Sequence, residues 1–307
     1  MASRDVAPRA APTVGSARVV PIWTRVLEVV LDNPALFMAG ILLAMWAVLS
    51  RLSPFFFSLD NLLEITIQAA VIAMIAVGQT FVILSGGIDL SVGAVLAATA
   101  VVASLAMDAG YGLAGGIAAG LLCGAVFGAA NGIVVGKLGI PPFIATLGMM
   151  GIARGSALIV TGGIPVFDLA PGFELLGQGR VGGVLPVPTL TTFVSYVLGY
   201  LILIYTVSGL TTAIAGLTEA SRIGSGQPAG GSGYELDSIA AVVIGGTSLF
   251  GGEGNLFASL VGALIIATLR NGLNVLGVYA FWQQVAIGAI LIAAVYLDRW
   301  RRRRRGE

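Results

Sequence analysis

Charged and amide side chains placed inside apolar sequence are the first candidates for chemistry in this chain. Asp89 stands in Ser85-Gly86-Gly87-Ile88-Asp89-Leu90-Ser91, between two apolar runs. A Ser-Gly-Gly break frees backbone groups that lipid cannot satisfy, so it is tolerated where it is buried in protein or lines a wet cavity. Asp89 sits where an N-cap belongs and can accept N–H bonds from the following turn. A carboxylate within a membrane segment equally marks a transport path. Both readings stand, and Ser85, Gly86, Gly87, Asp89 and Ser91 are candidate path residues. Arg154 and Arg270 also lie inside apolar runs. A buried guanidinium is expensive unless paired or hydrated, so Glu64, Asp89 or Glu219 is expected to face them, or each snorkels to an interface.

Other chemistries find little support. The chain has no His, which removes the commonest proton shuttle and metal ligand. Cys123 stands alone in a glycine-rich apolar stretch and reads as packing. No GxxxxGK[ST] phosphate loop is present. No catalytic residue, metal ligand or cofactor site is therefore expected, and the chain does not read as an enzyme or a nucleic-acid binder.

The elements that must position these residues are helices in lipid. Of 307 residues, 57% are hydrophobic and 10% charged, against about 25% charged in soluble domains. A span needs about 20 apolar residues. That rule gives spans at 35–52, 62–84, 89–107, 111–135, 142–161, 238–250, 256–276 and 281–297. The stretch 187–218 is ambiguous, and reads as two short helices meeting in a tight turn near Tyr205–Gly209, for ten spans in all. Arginines crowd both ends (Arg4, Arg9, Arg18 and Arg25, then Arg299 and Arg301 to Arg305), so both tails are expected in the cytoplasm. The expected organisation is a basic tail over 1–34, a transmembrane domain over 35–297 and an arginine-rich tail over 298–307 that touches anionic lipid. The N-terminus does not read as a cleaved signal. The polar stretches 162–186 and 222–237 are expected to form much of the outer surface. The turn 251–254 faces the cytoplasm, and Trp282 reads as an interfacial residue.

Gly112, Gly116, Gly120, Gly124, Gly128, Gly132 and Gly136 recur every four residues. Small residues at that spacing let helix backbones approach closely. Four residues turn a helix by about 400°, so the stripe winds and should meet more than one neighbour.

The segment from Gly78 to Gly93 resembles the signature of ribose-type permeases, the membrane subunits of ATP-binding-cassette importers for monosaccharides, in the branched-chain/sugar permease family. Asn131-Gly132-Ile133 through Gly148, Tyr234 through Gly252, and Arg270-Asn271-Gly272-Leu273-Asn274 with Phe281-Trp282-Gln283-Gln284 are similar to the same family, in family order. The resemblance implies an all-α polytopic permease fold in the bacterial inner membrane that works by alternating access. It implies a cytoplasmic ATPase partner that hydrolyses ATP, a periplasmic sugar-binding protein, and a second permease copy, identical or not. Asn271, Asn274 and Gln283 join the candidate path on this ground.

One departure stands out. Permeases of this type carry a cytoplasmic segment of a few dozen residues between the sixth and seventh spans, with a short helix that docks in the ATPase. Here Leu198 through Tyr205 runs straight into Thr206-Val207-Ser208-Gly209-Leu210, and 181–218 holds no charged residue at all. The alternatives to an active importer are a secondary transporter or channel, for which the carboxylates are few, and an accessory subunit without transport of its own. The breaks at 85–93 and 245–252 could be corresponding parts of two repeats.

Overall fold

A computed structural model describes residues 34–201 and 204–305. Ten helices of eleven residues or more run through these residues: α1 (Pro34–Leu52), α2 (Leu59–Leu84), α3 (Val92–Ala106), α4 (Gly112–Gly136), α5 (Pro142–Thr161), α7 (Val187–Leu201), α8 (Ile204–Ile223), α9 (Tyr234–Ile244), α10 (Leu256–Val275) and α11 (Ala280–Arg305). A one-turn helix α6 (Glu174–Gln178) and a two-residue hairpin, β1 (Arg180–Val181) with β2 (Leu185–Pro186), lie in the long loop before α7. The fold is all-α in its body.

Four stretches are long and apolar enough to cross a membrane by length and composition: Leu59–Leu84, Val92–Gly136, Pro142–Thr161 and Leu256–Val275. The second is two helices. A single π turn at Met107–Tyr111, with Gly110 at φ 87°, folds α4 back against α3. α2 is the axis of the body, with Ile72, Ala73, Met74, Ile75, Ala76 and Val77 all buried. Thr80 Oγ1 meets Ser259 Oγ at 2.9 Å near one end of α2, and Asn61 accepts from Asn271 at 2.9 Å near the other, so α10 runs antiparallel to α2. Thr189 and Thr192 of α7 reach Thr66 and Ala70 in the same order, so α7 runs parallel to it. α8 pairs in reverse, with Ser208 against Gly78 and Arg222 toward Glu64. α8 already begins at Ile204, so residues 205–209, where the turn was expected, lie within it. α7 is short, at 15 residues, while α8 is a full 20.

The glycine stripe lies wholly on α4. Gly116 faces Met107 and Ala103, Gly120 faces Ala103 and Leu217, and Gly124 faces Ala213 and Gly209 of α8. A Cβ on Gly209 would land on the Gly124 carbonyl and the Gly128 backbone, so this crossing of α4 and α8 has room for hydrogen only. Gly112, at φ 67°, ends the π turn instead, and Gly136 meets nothing at the helix end.

The basic N-terminal tail expected over 1–34 lies outside the described residues but for Pro34, which opens α1. Residues 298–305 continue α11 as helix.

Two irregular segments interrupt the bundle, and both precede a short helix that begins inside the body. Residues 85–91 turn back from the end of α2, and the Gln79 side-chain amide pairs with both the N–H and the C=O of Asp89, each at 3.3 Å. Residues 224–233 were expected on an outer surface together with the ends of α8 and α9. They bridge to Val166 at Gly226 and then descend along α3, from the level of Ala100 and Ser104 to that of Gly93 and Leu96. Seven helical residues measure about 10 Å. Gly231, at φ 68°, sits so close to Gly93 that a Cβ there would strike the Gly93 carbonyl. α9 thus starts mid-body, with Tyr234 packed on Ala70, Val71 and Met74. The physical reason is that this loop brings its own partner: Arg154 of α5 donates to the carbonyls of Pro228 and Gly230 at 2.9 and 2.5 Å. The 245–252 break packs beside the 85–93 break with which it was matched as a repeat. The two lie against each other at one end of the bundle, where the Gly252 N–H donates to the Leu84 carbonyl at 3.0 Å.

Candidate functional site

The candidate path residues fall into two places. The first is the 85–91 break. Ser85 and Gly86 are exposed at the end of α2, and Gly87 packs on Pro142. Asp89 and Ser91 are buried. Asp89 does not cap α3. Ser91 holds that position with helical φ and ψ, and Asp89 Oδ1 accepts from the Ser91 N–H at 2.9 Å and from its hydroxyl at 2.6 Å. The carboxylate therefore closes a local turn two residues before the helix, as Asp side chains do.

The second place is a cavity of about 230 Å³ lined by Gln68, Val71, Ile72, Arg222, Tyr234, Arg270, Asn274, Ala280 and Gln283. It joins α2, α8, α9, α10 and α11. Asn274 and Gln283 were expected on a path and line it. Asn271 is one turn away from it, and bonds Asn61 instead. Gln68, Arg222 and Tyr234 were missed, because each stands in an unremarkable local sequence and only the mid-body start of α9 brings them together.

The charges around this cavity are paired. Arg222 makes a bidentate bond to Glu219, 2.9 Å on each arm, and lies 4.0 Å from Glu64. Tyr234 donates its hydroxyl to the same Glu219 at 3.0 Å, and Gln68 donates to Glu64 at 3.0 Å. One nitrogen of Arg270 lies 2.7 and 2.8 Å from the two oxygens of Asp237. Arg270 thus takes Asp237 as its counter-charge, not Glu64, Asp89 or Glu219. Asp237 is only 1% exposed and sits in the first turn of α9, where a negative charge also meets the helix dipole. Arg270 Nε has no partner among the described residues. Arg154 donates to the two carbonyls described above and feels the Glu235 carboxylate only through space. The result is a cavity walled by amides, a phenol and two paired guanidiniums, one of which keeps an unfilled donor. Such a surface suits a small neutral solute with many hydroxyls.

Comparison with known proteins places this architecture. The model of the family described as "Branched-chain amino acid transport system / permease component" matches residues 61–169 and 196–295. The ribose import permease protein RbsC of Bacillus subtilis is 41% identical, over 82% of this chain and 88% of that protein. Its namesake from Escherichia coli K12 is 39% identical, over 84% of this chain and 91% of that protein. The D-allose transport system permease protein AlsC of Escherichia coli K12 is 35% identical, over 82% and 88%. No solved structure matches the chain. Identity at this level across most of the length, on a bundle of apolar helices with charged groups paired inside it, identifies the chain as a member of that permease family and a multi-pass membrane subunit of an importer.

Proposed function

We propose that the cargo is a ribose-like monosaccharide and that its route passes through the 230 Å³ cavity. The carrying observation is the internal pairing of every arginine that lines it. An amino acid needs a free carboxylate or guanidinium for each of its charges, whereas a sugar needs planar donors and acceptors such as Gln68, Asn274, Gln283 and Tyr234. The relatives named for ribose and allose support the same class. Pro34 and Arg305, the outer ends of the described residues, lie at the bundle end that carries the α2–α3 and α9–α10 breaks, and the arginines of α11 make that end cytoplasmic. The cavity then lies toward the periplasmic side, where a sugar-binding protein delivers cargo. A cytoplasmic ATPase supplies energy, and a second permease copy completes the unit. Ser85, Gly86, Gly87, Asp89 and Ser91 stand on the cytoplasmic half of the route.

A second reading concerns coupling. α7 and α8 are joined by two residues. The 286-residue alignment to the Bacillus relative uses 82% of these 307 residues, about 252, so about 34 of its positions have no counterpart here. This supports loss of the segment through which an ATPase would grip the subunit, leaving a permease that moves sugar passively or assists an intact copy. Uptake of radiolabelled ribose into membrane vesicles holding this chain and its ATPase tests both readings. Sugar-specific flux that ATP does not accelerate is the expected result. ATP-driven accumulation overturns the second reading, and no flux of ribose or allose under any condition overturns the first.

A further inference from the structure

Behind the 85–91 break lies a second, much smaller cavity, to whose interior the transport reading gives no occupant. Its volume is about 10 Å³, and Asp89, Ser91, Val92, Val95, Gly128, Asn131, Ser208, Gly209 and Thr212 line it. That is the space of one water-sized particle. Five oxygen-bearing side chains meet there from the break, α4 and α8. Ser208 donates to Asp89 Oδ2 at 3.3 Å, and Asn131 donates its amide to the Ser91 hydroxyl at 3.0 Å. Two oxygens are left over. Asn131 Oδ1 and Thr212 Oγ1 find no hydrogen-bond partner among the described residues, although Asn131 is 6% and Thr212 1% exposed. Asp89 has no Lys or Arg within ion-pair distance among the described residues, and is 7% exposed.

A buried carboxylate without a cation is expensive, and an orphaned buried oxygen is too. One positive ion at this place answers both. We propose that this pocket binds a single small monovalent cation, sodium in charge and size, held by Asp89, Ser91, Asn131, Ser208 and Thr212. Charge selects the valence, because one carboxylate balances one positive charge and a divalent ion would leave an excess in apolar surroundings. The donors are all hard oxygens, which suit s-block ions. Magnesium keeps several waters when it binds, and a cavity of this size has no room for them. Broken helices whose unwound backbone and helix ends coordinate sodium recur in membrane transporters. Here the ion joins α8 to α4 and to the break, at the packing point where Gly209 meets Gly124 and Gly128.

The test is thermal unfolding of the full chain in detergent, titrated with sodium, potassium or choline chloride at constant ionic strength and pH. An ion bound to the native state alone raises the midpoint with concentration. We expect a saturable rise of about 5 °C in sodium, a smaller one in potassium and none in choline. Asp89→Asn should abolish the sodium response. Thr212→Val keeps the charge and deletes one donor, so it should fold and shift the half-saturating concentration upward by about 10-fold. Equal curves in sodium and choline overturn the proposal, as does a response to acidification alone, which makes a proton the occupant. A potassium response as large as that to sodium overturns the assignment of size. A sodium response unchanged in Thr212→Val overturns the location. None of these readouts requires sugar, ATP or a partner, so they stand or fall apart from the transport reading.

Discussion

Replacing Asp237 by Leu should destabilise the protein more than replacing Asp237 and Arg270 together. In the native state one Arg270 nitrogen touches both Asp237 oxygens, and the carboxylate is almost fully buried. Removing the acid alone strands a guanidinium between α2, α9 and α10. An unpaired arginine at the centre of a membrane helix costs about 2.5–3.5 kcal/mol on insertion scales, and breaking a buried pair costs about 3–5 kcal/mol. Arg270 keeps 28% of its side chain exposed to the cavity, so hydration brings the figure toward the lower end, about 2–3 kcal/mol. That corresponds to a fall of about 3–5 °C in the unfolding midpoint for a chain of this size. The double variant Asp237→Leu/Arg270→Leu removes the stranded charge, and hydrophobic replacement of a buried pair is often near neutral. Its midpoint should return to within about 1 °C of the parent. Transport separates the two effects, since the double variant still lacks the Arg270 donor in the cavity wall and should move sugar poorly despite normal stability. Scanning fluorimetry in detergent with vesicle uptake measures both. If the double variant unfolds as early as the single one, the pair is not the unit described here. If it is stable and transports at the parental rate, the cavity is not the route.

Four further outcomes follow from the packing and the topology. Gly209→Val should cost at least about 2 kcal/mol through overpacking at the α4–α8 crossing, seen as lost monodisperse protein by size-exclusion chromatography. Gly136→Ala should be neutral, because an added Cβ there meets nothing within 4 Å. Arg154→Met leaves the Pro228 and Gly230 carbonyls without their donor, at about 1–3 kcal/mol each, so limited proteolysis should cleave 224–233 at least several-fold faster. In a Cys123→Ala background, a membrane-impermeant maleimide should label Phe167→Cys and Phe250→Cys, 66% and 61% exposed, from opposite faces of sealed vesicles. Labelling of both from one face contradicts the ten-pass arrangement.

Much of this body is legible along the chain, because lipid forces hydrophobicity and helix length to agree. The ends of α1, α2, α5 and α10 fall within a few residues of the apolar runs that predict them. The Ser-Gly-Gly break is legible for a related reason, since nothing but an interruption explains glycines and an acid at that spacing. The segment 224–233 misleads, being polar and glycine-rich, and a reading by composition puts it in water. Its polarity is instead matched inside the body by Arg154, 74 residues earlier in sequence, a pairing that no local window contains. The same holds for Arg270, whose partner Asp237 lies on a helix whose start was placed four residues too late.

The two breaks solve one problem in opposite ways, and the difference separates their roles. At 224–233 the exposed backbone acceptors are covered by a cation from the protein itself, so that segment is complete without a ligand and can serve as a fixed wall. At 85–91 the chain supplies an anion and spare oxygens but no cation among the described residues, and Gln79 occupies only the backbone of Asp89. A wall that is finished can tolerate a solute moving past it, whereas a wall that is one charge short responds to whatever fills it. The large cavity is built on the finished break and the small pocket on the unfinished one. Exchanging the charges tests this logic: Arg154→Met should weaken the wall regardless of salt, while Asp89→Asn should erase only the stability that sodium adds.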